Sequence, residues 1–275
     1  MKHYLKSFYR YYIRGQWQYQ KDKKALKSKQ KSVLIYSMGK VGSLSLYHSI
    51  QAQTDLPVFH LHSLKQERIN WEYQACRAKG WWPDSRNPGA LIYEKKIRSN
   101  QPVSLITTIR EPIERNVSAF FEVFRYYNKV DACDYQGDTS FLQAQFLKLV
   151  PQEYPLTWLD EELKMMLGID VYQTAFDWQK KYQNYQHKNL DLLLLRVDLS
   201  DAEKEKQVHD FLGLSNLKLV RHNVGAEKDY ADLYQQFKTN LELPQSYVEQ
   251  MLASKYCSHF YSLEERQRLF EKWTS

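Results

Sequence analysis

Three short stretches of this chain carry residue types that could do chemistry. The first, "MGKVGSLSLYHSI" at 38–50, follows the apolar run 33–36 and brings two glycines, a lysine and serines to the start of a helix-forming segment. Backbone N–H groups in a glycine-containing turn that enters a helix converge on one spot, where the helix dipole also favours an anion. Lys40 adds a mobile cation, and Ser43 and Ser45 add hydroxyl donors. The spacing is not that of the nucleotide triphosphatase loop, whose long glycine interval ends in Gly-Lys-Ser/Thr, and no obvious acidic strand end supplies a magnesium ligand. The second stretch, "TTIREPIERNVSAFFEVF" at 107–124, puts Arg110 at a strand end and Ser118 two turns into the next helix. Both can face the sheet edge where ligands bind in open α/β folds, and an arginine fork with a hydroxyl suits a second phosphate. In the third, "VFHLHSL", His60 and His62 stand two apart at a strand end and so share a face. On its own such a pair fits satisfied imidazoles at a strand end or half a metal site, and no clear third and fourth ligands accompany it.

The elements that must position these residues alternate between β and α. Short apolar runs predict strands at 33–37, 58–62, 103–109 and 190–197, the last being the most apolar. Helices are expected at 44–51, at 65–80 with an end at Gly80, and from Pro112 onward, where proline suits the first turn. Further helices are expected at 139–149 and 156–167, and "SDAEKEKQVHDFLG" reads as a capped helix stopped by glycine. The loop "WWPDSRNPG" is rich in turn residues, and the last quarter, from about Tyr230, reads as helical. Strands alternating with helices imply a parallel sheet with helices on both faces.

Taken together, the 38–50 and 107–124 stretches resemble the 5'-phosphosulfate loop and the 3'-phosphate motif of sulfotransferases that use 3'-phosphoadenosine 5'-phosphosulfate (PAPS). "REPIER-x-VS" followed by aromatics is especially similar to the heparan sulfate and uronyl 2-O-sulfotransferases, and also to bacterial capsular polysaccharide synthesis proteins; the resemblance is specific over about 32–125. It implies an α/β, P-loop NTPase-like three-layer sandwich with a central parallel sheet. It also implies PAPS as sulfuryl donor, PAP as product and no metal. In the 2-O enzymes the second histidine of a His-x-His is the base, a role that falls here on His62, with His60 orienting the acceptor. Lys40 would neutralise the leaving oxygen. The backbone from Lys40 through Val41, Gly42, Ser43, Leu44 and Ser45 would hold the 5'-phosphate, and Arg110 and Ser118 the 3'-phosphate. By position, the later segment "RHNVGAEKDYADLY" offers Arg221, Asn223 and Lys228 as a closing basic loop, with a solvated loop as the equal reading.

Composition bounds the rest. A chain of 275 residues, 43% hydrophobic and 26% charged, can bury roughly three quarters of its unfolded surface and needs no staples. Its formal charge of +7 suits an anionic partner. Three separated cysteines, Cys76, Cys133 and Cys257, fit a reducing compartment better than a disulfide framework or a zinc cluster. No stretch approaches the roughly 18 apolar residues of a membrane span, and the N-terminus lacks the apolar centre of a secretion signal. The expectation is therefore a bacterial, cytoplasmic enzyme of capsule or other polysaccharide synthesis, with a glycan or glycoconjugate hydroxyl as acceptor and no nucleic-acid partner.

Residues 1–31 form a basic aromatic arm whose only acid is Asp22, ahead of a sulfotransferase domain at 32–275 with a helical C-terminal part. The arm reads either as a partly helical, solvated extension or as a segment lying on an anionic membrane. The rival function from another class is a nucleic-acid or anionic-lipid binding protein on a degenerate nucleotide-binding fold. A kinase-like phosphotransferase is the third reading, and it needs the acidic metal site that the chain lacks.

Overall fold

The computed structural model describes residues 8–78, 87–220 and 230–274. Its centre is a five-stranded sheet: β1 (Ser32–Tyr36), β2 (Val58–Leu61), β3 (Val103–Ile109), β4 (Tyr182–His187) and β5 (Leu190–Arg196), in the order β2-β1-β3-β5-β4. β1 pairs in parallel with β2 and β3, and β3 with β5. Every residue of β1 and β3 is buried, so neither strand alternates apolar with exposed polar residues, and Ser104, Thr107 and Thr108 of β3 are buried along with its apolar residues.

The expected all-parallel sheet is corrected at one edge, because β4 runs antiparallel to β5. Its sequence Tyr-Gln-Asn-Tyr-Gln-His has no apolar run, since an edge strand half open to water needs none. The hairpin turns in two residues, with Lys188 at φ 53° taking the positive-φ corner that such short turns demand.

Alternate strand residues feed two cores. Leu34, Tyr36, Leu105, Leu192 and Leu194 face one side, where they meet helices α4 (Pro112–Glu122) and α5 (Thr139–Leu149) through Ile113, Phe120 and Phe146. On the same side lie α6 (Tyr154–Trp158), whose helical path continues through wider turns to Leu167, and the C-terminal helices α8 (Ala231–Thr239) to α11 (Leu263–Thr274). Val33, Ile35, Ile106, Leu193 and Leu195 face the other side. There they meet α2 (Ser43–Gln53) through Leu46 and Ile50, and α7 (Asp201–Leu212) through Val208. Helices therefore cover both faces.

α7 starts on Ser200, which with Glu203 forms a reciprocal capping box, and stops at Gly213 in the left-handed region. α3 (Gln66–Ala78) follows β2, so the expected end at Gly80 and most of the "WWPDSRNPG" loop lie outside the described residues, while a short helix starts at Gly89. The arm is helical as α1 (Arg14–Ala25), preceded by a wider helical turn from Phe8. Its end is not separate from the body: Leu26 joins the core, buried Lys96 donates from Nζ to the Ser28 carbonyl at 2.7 Å, and Lys31 pairs with Asp191 at 2.8 Å. Among the described residues no helix is long and apolar enough to cross a membrane.

Candidate functional site

The C-terminal ends of β1, β2 and β3 bring the three sequence stretches to one sheet edge, the place where parallel sheets leave a crevice. After β1 the chain makes a tight loop whose residues Lys40 and Gly42 have φ of 74° and 75°. This is the left-handed region. Glycine enters it freely, whereas Lys40 bears a strain of order 1 kcal/mol that only a well-held loop sustains. The loop is held from β3 and α4. Thr107 Oγ1 donates to the Tyr36 carbonyl at 2.6 Å, and Thr108 N to Ser37 Oγ at 2.9 Å. Arg115 Nε donates to the Gly39 carbonyl at 3.0 Å and Arg110 NH1 to the Lys40 carbonyl at 3.1 Å. The loop runs into α2, whose N-cap is Gly42 and whose first turn receives no capping side chain. Uncapped N–H groups of a helix start are donors suited to an anion. Val41 is buried, Leu44 packs beside the second core, and Ser43 is nearly buried with Oγ 2.9 Å from His60 Nε2.

His60 thus braces the first turn of α2, and its ring meets His62 edge-on at 4.8 Å. His62 points elsewhere. Its Nδ1 is 2.6 Å from the Ser37 carbonyl, an acceptor, so Nδ1 is the donor in this bond and Nε2 lies on the other side of the ring. Nε2 lies beside the loop: a Cβ placed on Gly39 would stand 3.9 Å from it. The backbone around His62 is fixed by the stretch that starts with α6. Trp158 Nε1 donates to the His62 carbonyl at 2.9 Å, while buried Glu162 accepts from Ser63 Oγ at 2.6 Å, Leu64 N at 3.1 Å and the Tyr36 hydroxyl.

α4 carries Glu114, Ser118 and Glu122 one turn apart on one face. Arg110 reaches Glu114 at 3.2 Å and Lys40 reaches Glu122 at 2.8 Å, so half-buried Ser118 lies between two ion pairs. Glu114 also takes Lys238 and Lys272, each at 2.6 Å. Burial alone would raise its pKa, but the hydrogen bonds from the two lysines and the charge of Arg110 bring it down to about 2. Glu111 caps α4 by accepting from the Ile113 and Glu114 N–H groups at 2.7 and 2.8 Å, and Trp273 Nε1 joins it at 3.2 Å. Burial pushes Glu111 up to about 7, against the pull of those two backbone N–H groups.

His62 opens into a cleft of about 240 Å³ walled by Gly39, Arg68, Arg115, Ala119 and Tyr154 among others. The guanidiniums of Arg68 and Arg115 each lie 4.7 Å from the Tyr154 ring centre. Arg115 is 8% exposed, and burial lowers its pKa to about 10, which leaves it cationic at neutral pH. A second, smaller cleft of about 120 Å³ opens on the far side of the loop, between Val41, Gly42, Ser45, Thr108, Val197 and Lys204.

Arg221, Asn223 and Lys228 lie outside the described residues, as does His222. The described flanks of that segment are tied down, Val220 N to Ser49 Oγ at 2.7 Å and the Tyr230 ring against Phe121 at 5.6 Å. Glu94 pairs with Arg98 on an exposed helical turn and takes no part in the clefts described above. Among the described residues no cluster of histidine, cysteine and carboxylate is arranged to hold a metal ion. Arg68, Arg115 and Tyr154 were not singled out by sequence reasoning. Arg115 lies in the quoted 107–124 stretch and could have been found on the helical wheel, where it shares a face with Ala119. Arg68 and Tyr154 come from distant segments and carry no local signal.

Residues 132–262 match a family model described as "Putative capsular polysaccharide synthesis protein", and in this span the chain is similar to that family. The match takes in Tyr154 and Val197 and starts after the loop, the histidines, Arg110 and Ser118. No curated protein and no solved structure matches the chain.

Proposed function

We propose that this protein transfers a sulfuryl group from PAPS to a hydroxyl of a carbohydrate-type acceptor. The observation that carries the reading is the placement of His62. Its Nδ1 proton is committed to Ser37, and Nε2 is turned toward a strained loop that enters an uncapped helix start, with a cleft alongside. In this reading the loop N–H groups and the start of α2 hold the 5'-phosphosulfate, and Arg110 with Ser118 hold the 3'-phosphate that distinguishes PAPS from ATP. The smaller cleft beyond Gly42 takes part of the nucleoside. The family match supports a role in polysaccharide synthesis, and the Arg68–Tyr154–Arg115 wall suits a ring-shaped, anionic acceptor.

Transfer then proceeds by in-line displacement. His62 Nε2 takes the acceptor hydroxyl proton, and the acceptor oxygen bonds to sulfur as the bond from sulfur to the 5'-phosphate oxygen breaks. The electron pair stays on that phosphate oxygen. Lys40 and the loop N–H groups face the charge that develops there, and the products are a sulfate ester and PAP.

The test has two stages. PAP should raise the thermal midpoint without magnesium, and ATP should do so far less. Donor labelled in its sulfuryl group should then label an acidic polysaccharide fraction with wild-type protein and not with His62→Ala, while that variant still binds PAP. Equal stabilisation by PAP and ATP, or stabilisation that requires magnesium, would sink the reading in favour of phosphoryl transfer.

A further inference from the structure

We infer that α1 docks the protein on an anionic membrane surface. The helical path from Phe8 to Ala25 exposes Tyr9 (61%), Ile13 (48%) and Trp17 (66%). These residues stand four apart, so they form one stripe along the helix. Arg14, Lys21, Lys23 and Lys24 are exposed beside and beyond the stripe, and Lys27 continues it past the helix end. Lys21 Nζ lies 5.9 Å over the Trp17 ring.

The inward side is different. Asp22, the single acid of residues 1–31, is 8% exposed, accepts from Gln18 at 2.8 Å, and lies near enough to Tyr47 of α2 to raise its pKa, after burial. The helix therefore shows the solvent aromatic, apolar and cationic groups while its carboxylate faces the body. Large aromatics beside lysines suit the boundary between headgroups and acyl chains, and lysines near an anionic leaflet add electrostatic attraction. A second copy of the chain is a poor occupant, because two such basic faces on a chain of net charge +7 repel. Leu26 and the bond from Lys96 to Ser28 fix the helix to the body, so docking would hold the whole domain in one orientation.

This inference does not rest on the transferase reading. The full chain should co-sediment with vesicles of phosphatidylcholine mixed with phosphatidylglycerol, bind weakly to phosphatidylcholine alone, and be released as salt rises. Lys21→Glu with Lys24→Glu should weaken binding to the mixed vesicles by about tenfold or more. Ile13→Ala with Trp17→Ala should weaken binding to both vesicle types, because it removes apolar anchoring rather than charge. Neither pair touches the core, and the thermal midpoint should be unchanged in both. Undiminished vesicle binding by both pairs would overturn the inference. Retention on RNA or heparin with no vesicle binding would overturn it too and make the face a polyanion site.

Discussion

At the residue scale the candidate site is marked by how its cations are occupied. Lys40 is held by Glu122 and Arg110 by Glu114, so a dianion bound as proposed would compete with two carboxylates. Glu122→Gln should therefore tighten PAP binding several-fold by calorimetry, and an unchanged affinity would mean that Glu122 stays on Lys40 in the complex. Lys40→Ala should cut kcat by about a hundredfold with a modest change in PAP affinity, because its charge is assigned to the leaving oxygen. Near-normal kcat at saturating donor would reduce Lys40 to a binding residue. For His62→Ala the expected loss is roughly a hundred- to ten-thousandfold in rate with PAP binding retained. The loop, the His-x-His and the Arg110–Ser118 motif were legible because each is contiguous in sequence. The direction of each histidine was not, since it depends on Ser37 and Ser43 being brought alongside by pairing between β1 and β2.

At the element scale α4 is the hub. Its N-terminus joins two carboxylates with opposite titration behaviour. Glu114 is depressed from its ordinary 4.5 to about 2, so its stabilisation is complete above 4.5 and is lost as pH falls toward 2. Glu111 is raised from 4.5 to about 7. Between those values the folded chain holds more protons than the unfolded one, and stability falls as pH rises through the window. A series of thermal midpoints should show both slopes, and Glu111→Gln should flatten the upper one; an unaltered upper slope in that variant would assign it to another group. The C-terminal helices are fastened by Arg196, 2% exposed, which donates to the Phe260 carbonyl and to both Glu265 oxygens, and pairs with Asp198 at 2.8 Å. Glu265→Ala should destabilise by about 3 kcal/mol in urea titration, because it leaves a buried guanidinium under-paired. β1, β3, β5 and α7 were legible from apolar and β-branched residues or from caps. β4 was hidden, because a polar edge strand takes its structure from the neighbour it pairs with.

At the scale of the whole molecule the arm and the body share a seam. A chain starting at Ala25 should keep its fold and PAP binding, because Leu26 and Ser28 remain. One starting at Val33 should melt lower, since the buried Lys96 ammonium loses the Ser28 carbonyl. Equal midpoints for the two truncations would show that Lys96 finds another partner. Among the described residues the two clefts flank the loop after β1 and share no wall residue; α3, α4 and α6 wall the larger, while α2, Thr108 of β3, Val197 and α7 wall the smaller. Inheritance can therefore act on them separately. A lineage can substitute residues 68–72 or 150–154 and reshape the larger cleft without disturbing the smaller one. Changes in the shared turn reach both clefts at once, so across descendants residues 39–42 should drift least and the rim of the larger cleft most.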